Sequence, residues 1–175
     1  MKEINIFCFG FGQVAKNFIN KLTIEEYNIN LSTTSRSESS KENFKGINYN
    51  NYLFNSEKFD QNLVVKLKEA DHILVSIPPE NEGDLVVKNF SKFLESSKVK
   101  WITYLSATSV YGDHKGEWVN ENSKTNPISN KGVARLKAEN SWASLEKNNK
   151  LPVQIFRLSG IYSNEKNILV RLKSG

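Results

Sequence analysis

Gly10-Phe11-Gly12-Gln13-Val14-Ala15 fits the spacing G-x-G-x-x-G/A. In that spacing the first glycine permits a tight turn and the second lets backbone approach a diphosphate. A small third residue lets the following helix pack closely on the strand. Unpaired N–H groups and the positive end of the helix dipole then face the phosphates. The chemistry indicated is dinucleotide binding, with Gly10, Phe11, Gly12, Gln13 and Val14 around the phosphates. The alternative is a structural strand–helix turn that holds no ligand.

Two further stretches suit the rest of such a ligand. Residues 32–37 read Ser-Thr-Thr-Ser-Arg-Ser, where an NAD site usually places Asp or Glu for the ribose 2′-hydroxyl. Arg36 suits a 2′-phosphate, with the hydroxyls of Ser35 and Ser37 assisting, so NADP is expected over NAD. The alternative for Arg36 is an ordinary exposed charge in a polar loop. Ser76-Ile77-Pro78-Pro79 follows an apolar run. Ser76 and Pro78 are expected to line the cofactor rather than grip it, because proline removes N–H donors.

These residues need a frame. Apolar, β-rich runs predict strands at residues 4–9, 30–34, 72–77, 101–106 and 153–158, with a weak one at 46–50. Helical spacing predicts helices at 13–22, 59–70, 83–96 and 129–147, and a partly helical segment at 164–173. Val14, Phe18 and Leu22, four apart, mark the apolar stripe of the first helix. Residues 35–45 are polar and read as a loop or short helix, and 111–127 as a long polar loop. Strands alternating with helices predict an α/β fold of the doubly wound Rossmann type. It has a mostly parallel sheet, helices on both faces, three layers and one domain over residues 1–175. Cys8, Trp101, Trp142 and the many Phe are core candidates; His72 is a strand-entry residue and His114 an exposed loop residue.

Composition narrows the class. One Cys among 175 residues excludes a disulfide framework and a Cys-based zinc site, and no metal is expected. No apolar run reaches the roughly 18–20 residues that span a bilayer, and no signal-peptide pattern opens the chain, so a cytoplasmic protein without a membrane partner is expected. The net charge of +5 is spread among acidic and amide residues without a basic stripe, so no nucleic-acid partner is expected.

Three later blocks carry a resemblance. They are Leu105-Ser106-Ala107-Thr108-Ser109-Val110-Tyr111-Gly112, then residues 126–139 (Asn-Pro-Ile-Ser-Asn-Lys-Gly-Val-Ala-Arg-Leu-Lys-Ala-Glu), then Phe156-Arg157-Leu158-Ser159-Gly160-Ile161-Tyr162. From residue 4 to about 175 the chain resembles the extended short-chain dehydrogenases of the NAD-dependent epimerase/dehydratase family. Their blocks look like S-S/T-x-x-V-Y-G, P-x-S-x-Y-G-x-S-K-x-x-x-E and L-R-x-x-x-x-Y-G. The resemblance implies a nicotinamide cofactor and a small-molecule carbonyl or sugar substrate. It also implies pairing of two copies in a homodimer through the helix at 129–147.

In that family a Tyr and a Lys one helical turn apart move the proton, and a Ser or Thr orients the Tyr. Matching Gly132 and Glu139 to the pattern puts Lys131 at the Tyr position and Arg135 at the Lys position. Ala107 stands where the Ser or Thr belongs, flanked by Ser106 and Thr108. Arg135 retains donors for ribose hydroxyls. Lys131 beside it becomes a base if the like charge lowers its pKa; otherwise the catalytic pair is lost. Thr108 and Tyr111 are further catalytic candidates, whereas the spacing Tyr111–Lys115 falls in a glycine-broken loop. Two readings follow, an oxidoreductase or sugar-nucleotide epimerase-like activity with non-standard residues, or a non-catalytic redox sensor or regulatory subunit. The family's C-terminal substrate region is largely missing, which makes the chain a fragment or leaves its pocket open.

Overall fold

The computed structural model describes residues 2–81, 83–163, 167 and 172. Twelve elements follow one another: β1 (Glu3–Phe9), α1 (Gln13–Ile24), β2 (Asn28–Ser35), β3 (Ser40–Phe44), β4 (Ile47–Leu53), α2 (Asn62–Glu69), β5 (His72–Val75), α3 (Leu85–Glu95), β6 (Trp101–Ala107), a 3-10 turn (Thr108–Val110), α4 (Asn130–Asn149) and β7 (Val153–Leu158). The seven strands form one sheet in the order β3-β4-β2-β1-β5-β6-β7. All neighbours are parallel except β3 and β4. This is the doubly wound arrangement expected.

Strand alternation sends successive side chains to opposite faces. Phe7, Phe9, Ile73, Val75, Ile102 and Tyr104 pack under α2, α3 and α4, against Leu63, Leu67, Val86, Phe90, Leu94 and Trp142. Ile6, Cys8, Ile29, Leu31, Leu74 and Leu105 face the other way, against Ala15 and Ile19 of α1. Cys8 and Trp142 are core as expected, and burial pushes the Cys8 thiol up to about 12. Asp84 caps α3 by accepting from the N–H groups of Val86 and Val87 at 2.9 and 3.1 Å. Burial raises its carboxyl above the usual range, against the pull of those N–H groups. Ser129 caps α4 through Gly132 N–H at 3.1 Å.

Three expectations need correcting. Residues 35–45 are neither a loop throughout nor a short helix, since Ser40–Phe44 is an antiparallel edge strand. The hairpin closes at Lys45 (φ 50°) and Gly46 (φ 87°), both left-handed as a tight two-residue turn requires. An edge strand faces solvent on most sides and carries charge there, so Ser40, Lys41, Glu42 and Asn43 look locally like a loop. The buried line of α1 runs through Ala15 and Ile19, and Phe18 is 39% exposed. Trp101 is 38% exposed and sits on the His72 ring at 5.9 Å, outside the core. Both lie along a trough on the α1 side, shared with Leu22, Phe156 and Leu158. Among the described residues α1 is the only helix on that face, and no other described helix covers the sheet over β5, β6 and β7 there. The partly helical segment expected at 164–173 lies outside the described residues but for 167 and 172.

Candidate functional site

The first strand delivers its chain directly into the glycine turn. Gly10 has φ +81°, and a Cβ there would meet Ile77 Cγ2 at 2.8 Å and Ser76 Oγ at 3.0 Å, so only glycine fits. Its N–H donates to Thr34 Oγ1 at 2.9 Å, which ties the turn to the end of β2. Ser76 Oγ donates to the carbonyls of Phe9 and Gly10 at 3.0 and 3.1 Å, which ties it to the end of β5. Gly12 differs, because its φ of −82° suits any residue and a Cβ there would meet nothing within 4 Å. The space above Gly12 is therefore open. It opens onto the start of α1, which has no side-chain cap and no acidic residue in its first turn. The first N–H groups of a helix have no intrahelical acceptor and remain available.

From this turn a cleft of about 380 Å³ runs across the carboxyl ends of β1, β5, β6 and β7. Gly12, Gln13, Val14, Ser76, Leu105, Ser106, Ala107, Arg135, Leu158, Ser159 and Ile161 line it. Residues 12–14, 76, 106 and 135 come together although 123 positions separate the ends of that set. The cleft lies where the chain runs from β1 to β2 on one side and meets β5 on the other. Open α/β sheets bind ligands at such a switch point.

Two lining residues define the far end. Ser106 is 3% exposed, and its Oγ has no hydrogen-bond partner among the described residues. A buried hydroxyl without a partner costs on the order of 1–3 kcal/mol, and a ligand oxygen in the cleft would remove that cost. Arg135 reaches the cleft from α4, and its NH1 donates to Leu105 O at 2.6 Å and to the Tyr104 hydroxyl at 3.3 Å. Tyr104 is fully buried, and burial pushes its hydroxyl up to about 12. Sequence reasoning did not reveal Tyr104 as the anchor of Arg135, since only the packing of α4 on β6 brings them together.

The other candidates lie elsewhere. Lys131 is exposed on the first turn of α4 and does not line the cleft. Thr108 is exposed, and it borders a shallow depression with Tyr111 and Arg157. Tyr111 is buried, with the Arg157 guanidinium over its ring at 4.8 Å and the His114 ring at 6.2 Å. His114 lies in the long loop as expected but is half-buried rather than exposed, with its Nε2 3.0 Å from Lys124 O. Arg157 grips Glu139 with three contacts of 2.9 to 3.2 Å, and that carboxylate raises it above even its ordinary range. Phe11 turns away from the cleft onto Phe44 and Tyr49, with ring centroids 5.3 and 5.2 Å apart. Pro78 is exposed outside the lining.

On the β2 side, Ser35 Oγ sits 3.1 Å from Ser37 Oγ and accepts from Asn51 Nδ2 at 3.0 Å. Arg36 is exposed, and its guanidinium makes no ion pair or hydrogen bond among the described residues. The described lining of the cleft thus presents amides, serine hydroxyls and one guanidinium, with no carboxylate. That donor set fits a ligand rich in phosphate and hydroxyl oxygens.

No protein-family model matches the chain, and no curated protein matches it in sequence. Solved structures do. A functionally unknown conserved protein from Silicibacter pomeroyi DSS is 27% identical, with a TM-score of 0.71 over 91% of this chain and 54% of that one. A UDP-glucuronic acid 4-epimerase from Bacillus cereus, in complex with NAD, is 17% identical, with a TM-score of 0.74 over 93% of this chain and 59% of its own. A UDP-N-acetylglucosamine 4-epimerase from Bacillus cereus is 17% identical, with a TM-score of 0.71 over 94% of this chain and 56% of its own. These likenesses establish the fold, and the chain spans a little over half the length of each.

Proposed function

We propose that this chain binds a nicotinamide dinucleotide and is a protein of the epimerase/dehydratase type with non-standard catalytic residues. The observation that carries this reading is a single cleft that joins the vacant space over Gly12, the uncapped start of α1, and the unpartnered Ser106 hydroxyl. The NAD complex named for the Bacillus cereus UDP-glucuronic acid 4-epimerase, on the same fold, supports it.

In this reading the diphosphate lies on the amides at residues 11–14, and the adenosine half extends toward the end of β2. Arg36, without an ion pair or hydrogen bond from its guanidinium among the described residues, then meets a 2′-phosphate, which favours NADP over NAD. The other half passes Ser76 toward Ser106 and Arg135. When bound, such a cofactor supplies hydride transfer. The chain's own residues hold ribose hydroxyls through Ser106 and the free donors of Arg135. Any proton transfer falls to Lys131, Thr108 or Tyr111 from outside the lining.

That placement favours the second reading as well, a redox sensor or regulatory subunit. The described lining residues include no His, Cys, Tyr, Lys, Asp or Glu to exchange a proton with a substrate. Calorimetric titration with NAD, NADH, NADP and NADPH tests the binding reading, and absence of heat with all four overturns it. Arg36→Asp is expected to reverse the preference for the phosphorylated forms. Turnover is tested by oxidation of bound NADPH with a panel of keto-sugars and aldehydes. Activity that survives Lys131→Met removes that lysine from the chemistry, and inactivity throughout with binding intact favours the sensor.

A further inference from the structure

We propose that the cleft ranks the redox states of the nicotinamide it receives, taking the reduced, uncharged ring in preference to the oxidised pyridinium. The inference rests on the dinucleotide reading above and adds to it a selectivity set by one residue.

The sheet order sets the direction of the ligand. β1 ends at the diphosphate turn, β2 lies on one side with Arg36, and β5 and β6 lie on the other with Ser76 and Ser106. A ligand with its adenosine on the β2 side must place its second base toward Ser106 and Arg135. Arg135 is the one charged residue among the described lining. Its guanidinium is a cation, and the bonds to Leu105 O and the Tyr104 hydroxyl hold it there.

No opposing charge in the lining cancels it. Asp84 acts on Arg135 but is 4% exposed, and its Oδ1 is engaged by the Val86 and Val87 amides. Glu139, one turn further along α4, is paired with Arg157. Tyr104 keeps its proton and contributes no phenolate. The walls beside the guanidinium are Val14, Leu105, Ala107, Leu158 and Ile161, whose apolar surface leaves a field less screened than in water.

The phosphates of both redox forms feel the same attraction, so the difference comes from the ring alone. A pyridinium meets a like charge that cannot move away, and a dihydronicotinamide does not. Two such charges near each other in a cleft walled by apolar side chains shift the ratio of affinities by roughly tenfold or more.

The test is calorimetric titration of the whole chain with NADP and NADPH, and with NAD and NADH, followed by the same titrations on Arg135→Gln and Arg135→Lys. The reduced form of each pair is expected to bind about tenfold tighter or more. Arg135→Gln is expected to bring the two forms within about twofold by strengthening the oxidised one, and Arg135→Lys to keep the preference. Equal affinities in the wild-type chain overturn the inference and leave the dinucleotide reading standing, whether or not a variant folds. A preference that survives in Arg135→Gln, or equal weakening of both forms, overturns the assignment to Arg135. Absence of binding by any of the four nucleotides removes the underlying reading and the inference with it.

Discussion

Arg157 of β7 holds Glu139 of α4 with Nε at 3.1 and 3.2 Å from the two carboxylate oxygens and NH2 at 2.9 Å from one of them. Glu139 is 4 residues beyond Arg135 on the same helix, so this clamp ties α4 to β7 one turn from Arg135. The carboxylate side chain is 4% exposed and the guanidinium 21%. Glu139→Gln leaves a largely buried cation without its counter-charge and is expected to destabilise the fold by about 2–4 kcal/mol. Chemical denaturation measures this. The double variant Glu139→Met with Arg157→Met is expected to recover much of the loss, because burying two apolar chains avoids the desolvation of both ions.

Gly12 offers a separation of folding from binding. Its backbone is ordinary and a Cβ would touch nothing within 4 Å. Gly12→Ala is therefore expected to change stability by no more than about 0.5 kcal/mol. The added methyl occupies the space where a diphosphate would approach, and dinucleotide affinity is expected to fall roughly thirtyfold or more, about 2 kcal/mol. A thermal melt and a titration on the same sample check both halves, and a stable variant with undiminished affinity contradicts the placement of the phosphates.

Gly112 carries the opposite expectation. Its φ is +74°, and a Cβ there would collide with the carbonyl oxygen of Asn126. This close approach pins the start of the long loop at 111–127 to its end, alongside the bond from Asn126 N–H to Tyr111 O at 3.2 Å. Gly112→Ala is expected to cost about 2 kcal/mol or more, from both the collision and the left-handed backbone. Limited proteolysis is expected to cut that loop faster in the variant.

Asp71 sets part of the acid limb of the stability profile. Lys100 Nζ donates to it at 2.7 Å and the Asn5 amide at 3.0 Å, and these hold its carboxyl below the usual range. A carboxyl lowered on folding contributes fully above its ordinary value, near pH 4. That contribution fades as pH falls through the lower folded value. With Lys100 largely exposed, the pair is worth about 0.5–1 kcal/mol. Urea midpoints at pH 6 and pH 3 should differ less in Asp71→Asn than in the wild-type chain. Asp60, lowered by the Ser39 hydroxyl, keeps part of the slope in both.

Much of the sheet is legible in the chain because its signals are local. The runs at residues 4–9, 72–77, 101–106 and 153–158 are short, apolar and rich in β-formers, and they appear as β1, β5, β6 and β7. β3 is illegible for the converse reason, since an edge strand exposed along its length has the composition of a loop. Phe18 and Trp101 mislead because apolar residue type implies burial only where a neighbouring element exists to cover it.

The glycine spacing and, β3 apart, the order of strands and helices were determined by the sequence alone, because a turn with φ near +80°, a capped helix start and an apolar strand each depend on residues a few positions apart. The cleft is a product of tertiary structure. Ser76, Ser106 and Arg135 meet Gly12 through parallel registers and a helix crossing that no local pattern encodes. Lys131 and Arg135, one turn apart, share a helix face, yet Lys131 faces solvent at the start of α4 while Arg135, one turn further on, reaches inside.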